Sequence, residues 1–231
     1  MGKADYDLLW GEPARAGRGR PAGGNLSRER IVDEAVAIAD AEGLQKVSMK
    51  HLAERLGSGV MSLYRHVPGK DELVVLMYDS LMAGPVPLPE AEHWRGILRH
   101  WGLGVRDLFN AHPWALTVAT SERPMGPGEA GWVDGVIGRL TDVGLPAELG
   151  LIAVLTVDCF ALGAVRPEIN SGAGETDFFQ FLADPAISAR YPNLARLARP
   201  GAADAAGMSD HFEFGLERVL DGLEHHIETH S

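Results

Sequence analysis

Lys50, Tyr64, Arg65, His66 and Lys70 lie within one short reach of the chain, and each can donate a hydrogen bond to a phosphate oxygen or a base edge. The chemistry they offer is recognition of a polyanion rather than bond making. No nucleophile stands beside an evident base, no glycine loop has the spacing that cradles a phosphate, and no zinc-protease pattern occurs. No catalytic residue and no cofactor is therefore assigned. His226 and His230 are spaced i, i+4, a separation that can chelate zinc, but the neighbours His225 and His226 diverge by about 100° around a helix. These histidines read as the fraying end of a helix, so no metal site is assigned. Cys159, the single cysteine, excludes an internal disulfide and reads as a small buried hydrophobe.

The chain has 231 residues and a formal charge of −11, which spread evenly would argue against a nucleic-acid partner. The charge is not even. From Ala14 to Lys70 there are ten Lys or Arg against six Asp or Glu; from Asp71 to Ser231 there are ten Arg, no Lys and twenty-three acids. A basic module on an acidic body suits a protein that touches a polyanion at one end only. With 45% hydrophobic residues the chain can bury a large core, and no unbroken apolar stretch approaches the length that spans a bilayer. Met1 to Trp10 lacks the basic start and apolar block of a secretory signal. A soluble, cytoplasmic protein without a membrane partner is expected.

The elements that must position the donors are helices throughout. Residues 1–25 are rich in Gly, Pro and Arg and read as a flexible basic arm. Ser27 is a candidate N-cap, and Ile31, Ala35, Ile38 and Ala39 give the apolar face of the helix that follows, which Gly43 ends. Ser48 caps a second helix through Met49, Leu52, Ala53 and Leu56. After the Ser58-Gly59 step, Val60 to Val67 forms about two further turns, and Pro68-Gly69 breaks the chain before a helix through Leu73, Leu76, Met77 and Leu81. The proline-rich run Gly84 to Pro89 marks a junction. Beyond it, helices are expected over Ala91 to Ala111, Pro113 to Ser121, Ala130 to Val143, Pro146 to Val165, Asp177 to Leu182 and Ser209 to Thr229. The organisation is thus all-α: the arm, a three-helix helix-turn-helix head over 26–84, and a helical body over 90–231.

Two short helices joined by a glycine-containing turn are the helix-turn-helix signature, whose second helix enters the major groove. Val60, Met61 and Ser62 are small or flexible enough for close approach there. Leu63 and Val67 face inward against Leu52 and Leu56. Ser48, Lys50 and Lys70, at the starts of the flanking helices, can hold phosphates on either side. The run Ile31 to Leu81, above all Leu52-Ala53-Glu54-Arg55-Leu56-Gly57, Ser62-Leu63-Tyr64-Arg65-His66-Val67 and Lys70-Asp71-Glu72-Leu73, resembles the DNA-binding head of the tetracycline-repressor (TetR) family. Phe212 to Leu216 and Asp221 to Leu223 are similar to the last helix of that family's C-terminal domains. The resemblance implies a homodimer with a C-terminal effector cavity, and repression of a palindromic operator released by a small ligand. It places Lys50, Val60, Met61, Ser62, Tyr64, Arg65, His66 and Lys70 at DNA-contact positions. Because that helix begins with apolar Val60 and Met61, few groups can read bases directly.

Arg18-Gly19-Arg20-Pro21 resembles the core of an AT-hook, so Arg18 and Arg20 are expected to follow the minor groove beside the operator. In the body, Trp101, His112, Trp114, Met125 and Phe160 are candidates for lining a pocket for a flat, hydrophobic effector. The apolar stripes Leu98-Trp101-Val105-Leu108 and Leu151-Val154-Leu155-Asp158-Leu162 serve the core, and the helices at 146–165 and 209–229 are favoured for the dimer. The alternative is an architectural protein that coats DNA without regard to sequence or ligand.

Overall fold

A computed structural model describes residues 8–11, 26–90, 93–166, 169, 184–196 and 211–230. Among them every regular element is helical: α1 (Arg28–Glu42), a 3-10 turn (Leu44–Lys46), α2 (Met49–Arg55), α3 (Val60–Leu63), α4 (Lys70–Ser80), α5 (Trp94–Ala111), α6 (Pro113–Ala119), α7 (Pro127–Asp142), α8 (Ala147–Ala164), α9 (Pro185–Arg190), α10 (Pro192–Ala195) and α11 (His211–His230). The all-α reading holds. The helix expected over Asp177 to Leu182 lies outside the described residues. α7 starts ahead of its expected position, because Pro127 suits a first helical turn whose N–H groups need no intrahelical partner.

Two compact units divide the chain: Met1–Pro87 with Ala111–Gly138, and Leu88–Asn110 with Arg139–Ser231. In the first, Ser27 caps α1 by accepting the Arg30 N–H, and Ile31, Ala35 and Ile38 are fully buried. Leu52, Leu63, Val67, Leu73 and Met77 complete this core from α2, α3, the following turn and α4. At the last turn of α4, Asp79 directs its carboxylate to the start of α7. There Oδ2 accepts the Gly128 N–H at 3.1 Å and Oδ1 that of Glu129 at 3.0 Å. The positive end of a helix dipole favours a carboxylate at this place; a Cβ on Gly126 would collide with that carboxylate, and one on Gly128 with the Asp79 backbone carbonyl. Arg123 seals the joint by gripping Glu129 with two hydrogen bonds (2.6 and 2.8 Å) while stacking 3.9 Å over the Tyr78 ring.

Residues 8–11 depart from the expected loose arm. Residues 8–10 form a helical turn in which Leu9 is buried, the Trp10 indole N–H donates to the Met125 carbonyl at 3.2 Å, and the Leu8 carbonyl accepts from Arg28. The cause is compositional: Leu8, Leu9 and Trp10 are the one apolar cluster in an otherwise Gly-, Pro- and Arg-rich stretch.

In the second unit, α8 and α11 lie side by side. Phe212, Leu216 and Leu220 of α11 are buried, with the Phe160 ring 5.3 Å from that of Phe212 and Arg106 4.9 Å above the latter. Opposite charges tie α5 to α11. Arg95 reaches Glu217, Asp221 and Glu224 at 2.7, 2.7 and 2.9 Å, and Arg99 reaches Glu217 and Glu213 at 2.9 and 3.3 Å. α8 buries Gly150, Ala153, Val154, Val157 and Ala161. The expected stripe is corrected here, because Leu151 and Leu155 point outward, 40% and 53% exposed, and Ile152 with them at 58%. Cys159 is exposed rather than buried, since it shares the face of Ile152 and Leu155 at helical spacing. With 18 residues and a mean hydropathy of 1.8, α8 is long and apolar enough to cross a membrane by length and composition. Its Asp158, however, accepts the Trp101 indole N–H at 2.7 Å, so one side of the helix is committed to the unit's core.

The ion-pair seam makes stability depend on acid. Hydrogen bonds from Arg95, and more weakly from Arg99, hold the Glu217 carboxyl below its ordinary range; Arg95 and Arg218 do the same for Asp221. Carboxyls depressed in the folded state add stability that is complete above their unfolded values, 4.5 for Glu and 3.8 for Asp. That stability is lost as pH falls through the folded values. Melting temperature should therefore decline as pH drops below about 4.5, and Glu217→Gln should flatten that decline. Equal slopes for the two proteins in a pH series of thermal melts would refute the assignment. Because the pairs are partly exposed, added salt should shrink the effect.

Candidate nucleic-acid interface

α2 begins at Ser48, whose hydroxyl oxygen accepts the His51 N–H at 3.2 Å, and is anchored by buried Met49, Leu52 and Ala53. Gly57, at φ 61°, takes the left-handed conformation that turns the chain toward α3. α3 itself has four residues and no side-chain cap, shorter than the two turns expected. The chain beyond it continues as a hydrogen-bonded turn, with Tyr64 N–H on the Val60 carbonyl and Val67 N–H on that of Leu63. The shortening is physical: with no capping side chain at Gly59 and Pro68 just ahead, only burial holds the segment in place. Leu63 and Val67, four apart, supply that burial at 0% exposure each, as their spacing predicts.

The opposite side of the same turn is open. Met61 is 73% and Tyr64 44% exposed, Arg65 is exposed, and Val60, Ser62 and His66 are half-buried. Lys50 at the start of α2 and Lys70 at the start of α4 are exposed as well. Ser48 is half-buried, with its oxygen spent on the cap. The eight DNA-contact candidates and Ser48 thus sit on consecutive elements α2, α3 with its turn, and α4, all in the first unit. Among the described residues, Lys50, Tyr64, Arg65 and Lys70 show no side-chain hydrogen bond or ion pair. Their donors are available to an external acceptor. The expected pair Arg18 and Arg20 lies outside the described residues.

The five pocket candidates are divided. Trp101 and Phe160 belong to the second unit: Trp101 is buried with its indole on Asp158, and Phe160 leans on Phe212. His112, Trp114 and Met125 belong to the first. Met125 is 48% exposed, and His112 and Trp114 both bond Asp40 of α1. Three features were missed in the sequence. The Asp40 contact carries no local signal; Leu9 with Trp10 is masked by the composition around it; and the exposure of Phe214, 58%, has no signal that separates it from the buried Phe212 two residues earlier. Among the described residues no three His, Cys, Asp or Glu side chains cluster closely enough to hold a metal ion.

A short helix held by two buried residues, with directional donors turned outward and lysines on the flanking helix starts, defines a helix-turn-helix DNA-binding protein. Residues 31–77 match the model of bacterial regulatory proteins of the tetR family, and residues 86–227 that of the tetracyclin repressor-like C-terminal domain. The chain belongs to this family and is a DNA-binding transcriptional regulator. It is 36% identical to the HTH-type transcriptional repressor DrrR1 of Streptomyces coeruleorubidus, over 94% of this chain and 84% of that one. With the tetracycline repressor protein class E of Escherichia coli it shares 24% identity over 88% and 93% of the two chains. Its fold is similar to the TetR family protein ActR of Streptomyces coelicolor in complex with actinorhodin: TM-score 0.69, 30% identity, covering 87% of this chain and 96% of that one.

Proposed function

We propose that the protein is a cytoplasmic repressor that binds a palindromic operator as a homodimer and is released by a small hydrophobic ligand held in its C-terminal domain. The observation that carries the DNA reading is the two-sided turn after Gly59, with Leu63 and Val67 inside and Met61, Tyr64 and Arg65 outside. For repression, the support is the similarity to DrrR1, itself named a repressor. The effector reading is supported by ActR, whose structure holds actinorhodin. The dimer reading is supported by the large apolar side chains left exposed on the neighbouring helices α8 (Leu151, Ile152 and Leu155) and α11 (Phe214). An exposed patch of this kind marks an interface, and a two-fold assembly would set paired reading turns about 34–36 Å apart.

Selection of bound DNA from a random pool tests the reading. Enrichment of a palindrome supports it, whereas retention of DNA without an enriched sequence favours the architectural alternative. On the selected operator, Lys50→Ala, Arg65→Ala and Lys70→Ala should each lower affinity and reduce the salt slope by about 1 per phosphate contact. Arg18→Ala with Arg20→Ala should do likewise if the arm follows the minor groove. An unchanged slope in any of these variants removes that residue from the interface.

A further inference from the structure

We propose that Asp40 is a positioning residue, a clamp that fixes the reading head to α6 and thereby sets the operator half-site spacing the protein accepts; the inference rests on the homodimeric reading given above. Asp40 stands in the last turn of α1, where the helix dipole disfavours a carboxylate and no basic residue offsets it. A local role for the charge is therefore absent. Its Oδ1 accepts two hydrogen bonds from the beginning of α6: His112 Nδ1–H at 2.8 Å and the Trp114 indole N–H at 2.7 Å. The two rings meet edge-on, 6.2 Å between centroids at 67°. Trp114 is 6% exposed, so its N–H has little access to water, and the carboxylate supplies its partner.

The same helix reaches the helix-turn-helix from its other carboxylates. Glu34 bonds Arg55 of α2 at 2.8 and 2.7 Å, and Glu42 contacts His51 of α2 at 3.4 Å. Beneath them Ile31, Ile38, Leu52 and Leu63 are fully buried in one core. The path is continuous: α6, Asp40, α1, α2 and the turn that bears Tyr64 and Arg65. Surface ion pairs add little on their own, but together with that shared core they make α1, α2 and α3 move as one body. Asp40 is the polar contact through which that body is oriented on α6. Releasing it should let the head settle at several angles without disturbing the groups that touch DNA.

The test uses the full chain and the palindrome it selects, with the central spacer lengthened or shortened base pair by base pair. Wild-type affinity should fall sharply away from the selected spacing. Asp40→Ala should flatten that profile by roughly 2- to 30-fold, the range of measured coupling effects, with unchanged contacts on a single half-site. Asp40→Asn keeps an oxygen that can accept both donors and should restore the steep profile. Trp114→Phe and His112→Ala remove one donor each and should give intermediate profiles, which also covers the case in which Asp40→Ala fails to fold. An Asp40→Ala protein, or the two donor variants, with the wild-type spacing profile overturns the clamp. Failure of the wild-type chain to select a palindrome overturns the functional reading instead.

Discussion

Replacing Ile152 and Leu155 together by glutamate is expected to leave a folded chain that no longer holds its operator. Both residues are more than half exposed in the single chain, at 58% and 53%, so the change costs little within the protomer. In the proposed dimer the same positions would bury carboxylates against an apolar partner face that includes Phe214, and an unpaired buried charge cannot be tolerated there. Separated protomers would each grip one half-site. The second contact would then lose the effective concentration supplied by linkage, which weakens binding by about 10²- to 10⁴-fold. Ultracentrifugation should report a monomer, with single half-site affinity unchanged. A dimer by that measurement, or operator affinity close to wild type, would place the two-fold elsewhere. The control is Cys159→Ser on the same face, which changes little volume and should keep both dimer and affinity.

Much of this architecture is legible in the chain because it is written in local patterns. Ser27 and Ser48 cap where hydroxyl residues meet apolar periodicity, and both hydroxyls accept the expected N–H groups. The inward pair Leu63 and Val67 follows from spacing alone. What escaped is what depends on partners distant in sequence. His112 and Trp114 carry the composition of a ligand pocket, and nothing near them in the sequence announces the hydrogen bonds that both rings make to the Asp40 carboxylate of α1. Periodicity also cannot say which of two apolar faces is the core when a helix is apolar nearly all round. In α8 both sides qualify; the small residues Ala153 and Ala161 go inward with Val154 and Val157, while the larger Leu151, Ile152 and Leu155 go out. The length of α3 escaped for a related reason, since Val60 to Val67 has the periodicity of a helix although only its first turn closes as one.

That brevity makes Leu63 the residue on which the reading turn depends most. A four-residue helix with no side-chain cap has almost no stability of its own, because nucleation is costly and only packing can offset it. Leu63 is 0% exposed and Val67, the other anchor, lies one turn later. Leu63→Ala removes buried methyl groups and leaves a void, a change that costs about 2–5 kcal/mol in a packed core. The loss should concentrate where local stability is lowest: amides from Gly57 to Val67 should exchange faster than those of α1 and α4. Operator affinity should collapse, because the backbone that aims Tyr64 and Arg65 is no longer held, even though neither donor has been altered. Met61→Ala is the matched comparison. It removes a side chain of similar size from the same turn, but one that is 73% exposed, so stability should stay within about 0.5 kcal/mol. Any loss of affinity it causes must then come from the DNA contact itself. If the two substitutions lowered melting temperature equally, the division of this turn into a buried side and a reading side would be wrong. If Leu63→Ala instead weakened operator binding no more than Met61→Ala, the turn would be held by something other than its own two apolar anchors.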